Sequence, residues 1–228
     1  PTRRSSDLFY PAKTAQEASK IIAELYQKEL AKNGNHPEQI QVISPLRKDT
    51  DAGADALNPV LRDIVNPRRY GYPEQKNGAV TYRQKDRVMQ LKNTEEVSNG
   101  DVGEVLNIYQ KDGKNVLRVD FGEHRILEYT DGEIWPLNLA YCVTVHKAQG
   151  DEYPVVILPM LTCFYRMLRK NLFYTAVTRA KRKLILVGSK KAMAIAIHND
   201  TVSSRNTMFG MRIRKIRDAI FEQEKKTA

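Results

Sequence analysis

The chain has 228 residues, an apolar fraction of 41% and a net charge of +10, values that favour a folded protein with a substantial core. No apolar run approaches the roughly 18 to 20 residues that a membrane-spanning helix needs, and residues 1–7 lack the basic-then-apolar order of a secretion signal. We therefore expect a cytoplasmic protein. Cys142 and Cys163 stand in apolar surroundings without further ligands at metal spacing, so we expect buried thiols, no disulfide and no metal site.

The positive charge is concentrated near the end of the chain. Residues 1–165 carry 21 Lys and Arg against 23 Asp and Glu, whereas residues 166–228 carry 16 against 4. Clustered cations attract polyanions and release their counterions, so nucleic acid is the expected partner. The plainer alternative is a solvated basic tail.

The first part of the chain alternates helix and strand. Apolar residues at helical spacing predict helices over 14–31 and about 56–65, and Pro59 leaves the start of the second helix open. A short β-branched strand at 39–43 lies between them.

Residues 68–136 change to the alternation that is typical of short antiparallel strands. Asn99-Gly100, Asp112-Gly113 and Asp131-Gly132 are tight-turn signals between them. Several short strands with tight turns predict a small barrel of the SH3 type. The predicted strands are 86–91, 103–110, 116–121 and 124–129.

After residue 137 the chain returns to alternating elements, a pattern that indicates a parallel sheet covered by helices. Periodicity leaves 139–145 open between strand and helix. We thus predict one α/β domain built from 1–67 and 137–200, an inserted barrel at 68–136, and a basic helix and tail at 201–228. The later predicted elements are strand 155–158, helix 166–181, strand 184–187, helix 189–197 and a basic amphipathic helix over 211–221.

Two stretches carry the chemistry. In the first, polar residues crowd before a glycine, a composition suited to binding phosphates or a nucleotide, although each residue alone would more often be structural. In the second, Arg179 follows an apolar helix and precedes a strand, where a guanidinium could simply neutralise the helix end. The first stretch contains Thr144, His146, Lys147, Gln149, Gly150 and Glu152; the second is Tyr174-Thr175-Ala176-Val177-Thr178-Arg179-Ala180-Lys181.

In their order and spacing, T-x-H-K-x-Q-G-x-E and Y-T-A-V-T-R-A-K, these stretches resemble the last two motifs of RecD-like superfamily 1 DNA helicases, the type of the exodeoxyribonuclease V α subunit. Ala148 and Asp151 stand where that family commonly has serine. The resemblance implies an α/β fold: a RecA-like parallel sheet with helices on both faces, interrupted by an inserted small SH3-like β-barrel.

The same resemblance assigns roles to individual residues. Arg179 is expected to be the catalytic arginine finger, stabilising charge on the γ-phosphoryl group during ATP hydrolysis. Near the nucleotide we expect Gln149, Gly150 and Glu152. Along single-stranded DNA we expect Ser44, Arg47, Thr144, His146 and Lys147.

The resemblance also implies cofactors and partners. ATP and Mg²⁺ would be held mainly by a first RecA-like domain, because the 228 residues contain no P-loop of the form G-x-x-x-x-G-K-[ST]. The expected partners are single-stranded DNA, that N-terminal RecA-like domain and, in one version, nuclease subunits; no membrane is expected. We predict the C-terminal motor domain of an ATP-dependent 5′-to-3′ DNA helicase that is inactive by itself. The alternatives are a stand-alone nucleic-acid-binding module and a RecD-like segment of a conjugative relaxase.

Overall fold

The computed structural model describes residues 8–199 as twelve strands, four α-helices and two 3-10 helices. The tail at 201–228, with its predicted helix over 211–221, lies outside the described residues. The strands are β1 (Leu8–Pro11), β2 (Ile40–Ser44), β3 (Glu74–Asn77), β4 (Val80–Arg83), β5 (Arg87–Gln90), β6 (Val102–Lys111), β7 (Lys114–Asp120), β8 (Ile126–Thr130), β9 (Leu137–Leu139), β10 (Cys142–Thr144), β11 (Tyr153–Met160) and β12 (Ala180–Gly188). The helices are α1 (Ala15–Lys32), α2 (Ala54–Val65), α3 (Lys170–Thr178) and α4 (Lys190–His198), and the 3-10 helices are Pro37–Gln39 and Thr162–Met167.

Five strands form a sheet in which every neighbouring pair is parallel, in the order β1-β12-β11-β2-β10. Residues 155–160 of β11 are buried one after another. Because successive side chains of a strand point to opposite faces, both faces of this sheet are covered. Helix α1 contacts α2, and α3 contacts α4. The predicted RecA-like parallel sheet with helices on both faces is confirmed.

Side-chain caps and loop carbonyls fix where the helices begin. The Thr14 hydroxyl accepts a hydrogen bond from Glu17 N at 3.1 Å, and the Ser189 hydroxyl starts α4 in the same way. Helix α2 begins at Ala54, two residues before the predicted start, although it contains Pro59. Ala54 N and Asp55 N donate to carbonyl groups of the preceding loop, so the first turn has partners for its free donors.

The middle of the chain folds into a second, antiparallel sheet of order β8-β7-β6-β5-β9, joined by the β3-β4 hairpin. The Tyr82 hydroxyl of the hairpin donates to Leu137 O of β9 at 2.8 Å. The predicted SH3-like insertion is therefore confirmed as a fold. The boundary at 136/137 stays a prediction, and Leu137–Leu139 pairs with the antiparallel sheet.

Asp86 joins the segments that connect the two sheets. Its fully buried carboxylate accepts hydrogen bonds from the Asn66 amide at 2.8 Å, from Arg83 N at 2.8 Å and from the Tyr141 hydroxyl at 3.3 Å. Asn66 ends α2, and Tyr141 precedes β10. Burial raises the pKa of Asp86 to about 6, although the hydrogen bonds from Asn66 and Arg83 oppose this rise. One carboxylate thus connects the chain before, inside and after the insertion.

The structure corrects one predicted helix, assigns one segment that periodicity left open, and adds strands that were not predicted. The helix predicted over 166–181 is a 3-10 turn, a break and the shorter α3, which ends at Thr178. The segment left open at 139–145 contains the strand β10. Strands β1, β3, β4 and β9 had no predicted counterpart.

The two cysteines differ in their exposure. Cys142 is buried, as expected, whereas Cys163 is exposed, because it lies in the 3-10 turn that follows β11 rather than in the core. Both thiols are free.

Within residues 8–199, no helix combines the length and hydrophobicity needed to cross a membrane.

Candidate functional site

Four of the predicted site residues gather at the amino end of the parallel sheet, called here the amino edge. Gln149, Gly150 and Glu152 lie just before β11, and Arg179 lies just before β12, its neighbour. Tyr153 N donates to Arg179 O at 2.8 Å, so the two motif segments touch through their backbones. The sheet therefore brings together the residues that the sequence assigns to the nucleotide.

The Arg179 side chain connects the same two segments. Its Nε donates to Thr175 O at 3.1 Å and its Nη2 to the Thr178 hydroxyl at 3.2 Å, both in the last turn of α3. Its Nη1 donates to Asp151 O at 2.9 Å. These bonds use three of the five guanidinium N–H groups and leave two for a ligand. The helix-end interaction and the contact with the first motif are thus made by one partly exposed side chain.

The remaining amino-edge residues are accessible to solvent. The Glu152 carboxylate lies 3.5 Å from Lys181 Nζ, and both side chains are about half exposed. Gln149 and Gly150 are exposed. Gly150 has φ +98, a conformation that other residues adopt at a cost. Gly150 lies in the connection that returns the chain from the end of β10 to the start of β11, which runs parallel to β10.

The other predicted residues lie at the opposite, carboxyl end of the sheet, called here the carboxyl edge. Ser44 and Thr144 are the last residues of β2 and β10, and they are register partners. His146 follows as an exposed residue, with Lys147 beside it. Since β2 and β10 are neighbouring parallel strands, the loops that follow them meet at this edge.

Arg47 and Lys147 place two cations at the carboxyl edge. Arg47 Nε donates to Asp55 Oδ1 at 3.2 Å, and about half of the Arg47 side chain is exposed. Lys147 Nζ donates to Asn99 Oδ1, in the loop between β5 and β6. Burial, together with the positive charge of Arg47, lowers the pKa of Lys147. Both cations lie where the parallel sheet meets the barrel.

Ser44 differs from its neighbours because its side chain is fully buried. Its hydroxyl donates to Ala52 O at 2.8 Å and accepts from Leu46 N at 3.3 Å. The group therefore holds the loop that carries Arg47 and presents no surface in this conformation.

Two family profiles match the chain, one over each part of the fold. Residues 139–187 match the UvrD-like helicase C-terminal domain, and residues 57–121 match the ATP-dependent RecD-like DNA helicase SH3 domain. The curated ATP-dependent RecD2 DNA helicase of Deinococcus radiodurans is 37% identical over 180 residues, which is 78% of this chain and 24% of that protein. The chain therefore contains a UvrD-like helicase C-terminal domain and an SH3 domain of the RecD-like helicase type.

Other relatives of this RecD-like chain cover less of it. The RecBCD enzyme subunit RecD of Mycobacterium tuberculosis is 36% identical over 119 residues, 52% of this chain and 19% of that protein. A solved structure described as two coordinating Pif1 helicases at forked double-stranded DNA aligns with 77% of this chain and 47% of its own, at 19% identity and a TM-score of 0.42. The chain spans about a quarter of the length of the RecD2 relative.

Several residues that position the site of this RecD-like chain were not predicted as site residues. The buried Asn58 amide donates to Cys142 O at 2.9 Å and accepts from Cys142 N at 2.8 Å, so it pairs with the outer edge of β10. Asn138 of β9 donates to Asp55 Oδ1 at 3.3 Å. Polar side chains at these positions give no local signal, because their partners are 83 or 84 residues away in the sequence.

The carboxyl edge of this RecD-like chain also contains an open groove of about 950 Å³. Loops that follow β1, β2 and β11 line it. Three aspartates outnumber two lysines in this lining, so the groove is a poor environment for DNA phosphates. The charged lining residues are Lys13, Lys48, Asp49, Asp51 and Asp55.

Proposed function

We propose that this chain forms the second of two RecA-like domains in an ATP-dependent, 5′-to-3′ DNA helicase. The observation that carries the proposal is Arg179. Its side chain bridges the two segments that carry the helicase-like motifs, and it keeps two N–H groups and part of its surface free. The two cations of the carboxyl edge, at the other end of the sheet, support a separate path for DNA.

In this proposal Arg179 is the arginine finger. Charge accumulates on the transferred phosphoryl group during ATP hydrolysis, and a fixed guanidinium stabilises it because its planar fork matches the phosphate oxygens. The bonds to Thr175 O and Asp151 O would hold the fork in place before the nucleotide arrives. Pre-organisation of this kind avoids reordering the side chain in the transition state.

The other amino-edge residues fit one wall of an ATP site. Gly150 has a positive φ and no side chain that could block a ligand, and Gln149 beside it is exposed. The exposed Glu152 carboxylate could accept a hydrogen bond from a ribose hydroxyl. No group of three or more His, Cys, Asp or Glu suited to a metal ion occurs among residues 8–199. The donors present thus fit ATP in part, and we assign most phosphate contacts and the Mg²⁺ ligands to a P-loop domain. Hydrolysis of the bound ATP would supply the free energy that drives the helicase.

Four carboxyl-edge residues form the proposed DNA track. Arg47 and Lys147 would neutralise phosphates, and Thr144 and exposed His146 would donate hydrogen bonds beside them. Ser44 would act indirectly, by holding the loop of Arg47 through Ala52 O. Closure and reopening of the two RecA-like domains would then move this track relative to the other domain and advance the strand.

The similarity to RecD-like helicases favours the helicase over a stand-alone nucleic-acid module or a relaxase segment. The match to a protein named RecD2 covers 78% of this chain, against 52% for one named a RecBCD subunit. We therefore propose a RecD2-like enzyme first. Nuclease subunits remain partners of the second candidate, a RecBCD-type assembly.

The test is Arg179→Ala in the full-length helicase that we propose. We expect ATP hydrolysis to fall about 10³- to 10⁵-fold, with affinity for single-stranded DNA nearly unchanged. The matched control is Arg182→Ala, three positions further along, whose side chain donates to Asn33, the residue that follows α1. Normal turnover in Arg179→Ala would refute the finger, and helicase-like ATP hydrolysis by the 228-residue chain alone would refute the two-domain site.

A further inference from the structure

Trp135 is a large aromatic residue on the surface of the barrel. It lies in the turn between β8 and β9 and is 60% exposed. The ammonium group of Lys92 lies 5.0 Å from the centroid of its ring, within the range of a cation–π interaction. A single exposed aromatic residue needs no explanation by itself, so its surroundings decide what it can do.

One connection leads from Trp135 to Arg47. Leu91 N, next to Lys92, donates to Pro136 O at 2.6 Å, which holds the Lys92 and Trp135 segments together. Two residues after Pro136, the Asn138 amide donates to Asp55 Oδ1 at 3.3 Å, and the same oxygen accepts from Arg47 at 3.2 Å.

A second connection leads from Lys92 to Lys147. Asn93, the next residue, accepts a hydrogen bond from Asn99 N at 2.7 Å through its side-chain oxygen. The Asn99 side chain accepts from Lys147 Nζ. The Lys92–Trp135 pair is therefore tied on two sides to the cations of the proposed DNA track.

We propose that Trp135, with Lys92, is a base-stacking platform that extends the DNA track from the parallel sheet onto the barrel. This inference rests on the proposed function, because Arg47 and Lys147 would hold the phosphates of the same strand. Single-stranded DNA fits such a surface, since its unpaired bases expose flat faces and its backbone follows cations.

Stacking rather than charge is the contribution expected from the platform. Glu95 and Glu96 lie in the same loop as Lys92 and are exposed, so they offset its positive charge. A nucleobase on an aromatic ring gains affinity with little dependence on sequence, because every base has a π face. Loss of Trp135 should therefore weaken binding without changing its dependence on salt.

The first experiment uses the intrinsic fluorescence of the 228-residue chain, which contains one tryptophan. Oligothymidylate is titrated at low ionic strength while tryptophan emission and the anisotropy of a label on the oligomer are both recorded. We expect emission to be quenched in parallel with binding. An abasic oligomer of the same length has the phosphates without the bases, and it should bind through charge but leave the emission unchanged.

The second experiment compares variants by anisotropy. Trp135→Ala should raise the Kd for oligothymidylate about 5- to 150-fold, the range for loss of one stacked base, and Trp135→Phe should restore part of it. The matched control is Tyr70→Ala, which removes a fully exposed aromatic residue from the loop between α2 and β3. The contribution of the Lys92 charge to affinity is measured by comparing Lys92→Ala with Lys76→Ala, which removes an exposed lysine from β3.

The outcomes separate the platform from the track. The platform would be refuted if oligothymidylate bound without changing the tryptophan emission and if Trp135→Ala bound it as tightly as wild type. The proposed DNA track would be unaffected by that result. Equal quenching by the abasic oligomer, or equal losses in Trp135→Ala and Tyr70→Ala, would also overturn the platform. No binding of oligothymidylate by the wild-type chain would remove the track of the proposed function, and the platform with it.

Discussion

Arg179 at the amino edge and Arg47 at the carboxyl edge are held by different kinds of partner. Arg179 donates to two carbonyl groups and a hydroxyl, and no carboxylate of residues 8–199 lies within 4.0 Å of it. Arg47 is paired with the carboxylate of Asp55. The first arginine is oriented without a carboxylate partner in the described part of the chain, which suits the transition-state stabilisation that we propose for it. On the proposed DNA track the second would exchange its carboxylate partner for a phosphate, which suits a contact that forms and breaks with each step.

The two edges also differ in how much room their backbones leave. A Cβ at Gly188, the last residue of β12, would lie 1.9 Å from Met160 O of β11, whereas a Cβ at Gly150 would meet nothing within 4 Å. Both glycines have positive φ, +150 and +98. The carboxyl edge is therefore closely packed at this point, and the amino edge is open to a ligand.

The largest effect that we expect from this difference is on stability. Gly188→Ala should lower the free energy of unfolding of the 228-residue chain by at least about 3 kcal/mol, because backbone overlap adds to conformational strain. Gly150→Ala, the matched control, should lose only about 1 to 2 kcal/mol from strain. Urea titration followed by circular dichroism measures both. Equal losses would mean that the close contact between β11 and β12 is relieved without cost.

The next effect concerns Asp86, where the barrel is attached to the parallel sheet. Its folded pKa of about 6 lies above the usual 3.8, so the folded protein binds a proton that the unfolded chain releases. The contribution of Asp86 to stability is therefore greatest at low pH and is lost as pH rises from about 4 to above 6. The stability of wild type relative to Asp86→Asn should fall by about 2 to 3 kcal/mol between pH 4 and pH 7.5.

Denaturant titrations of both proteins at each pH measure this difference. Asp112→Asn, in the exposed turn between β6 and β7, is the control that removes a carboxylate without burial. If the difference in free energy of unfolding between wild type and Asp86→Asn did not change with pH, Asp86 would not be desolvated in the folded chain.

Local signals in the sequence were sufficient for the elements with strong patterns. The apolar run at 155–158 lies inside β11, and the turn residues Asp112-Gly113 separate β6 from β7 as predicted. The motif order was also enough to select Arg179 and Glu152 together. Their proximity, however, follows from β11 and β12 being neighbours, which is a property of the whole sheet and not of either motif.

The missed elements lack such signals or depend on distant contacts. Strand β3 reads Glu-Gln-Lys-Asn, without an apolar alternation, so the periodicity of its side chains gives no strand signal. The break before α3 is stabilised from α4: Lys170 N donates to Asn199 O at 3.0 Å, and the Asn199 amide donates to Leu168 O at 2.9 Å. Residues 166–181 alone still look like one helix, because that support comes from about 30 residues further along.

The smallest expected effect tests the carboxyl edge directly and has the opposite sign. Asp55 competes with phosphate for Arg47, so Asp55→Asn should tighten the binding of oligothymidylate by about 1.5- to 5-fold, the range for loss of a partly exposed ion pair. Asp112→Asn makes the same change in net charge away from the track and should leave affinity nearly unchanged. Fluorescence anisotropy at several salt concentrations gives both the affinity and its salt dependence. Weaker binding by Asp55→Asn would mean that this carboxylate positions Arg47 for DNA, and that the paired arginine is already in its binding conformation.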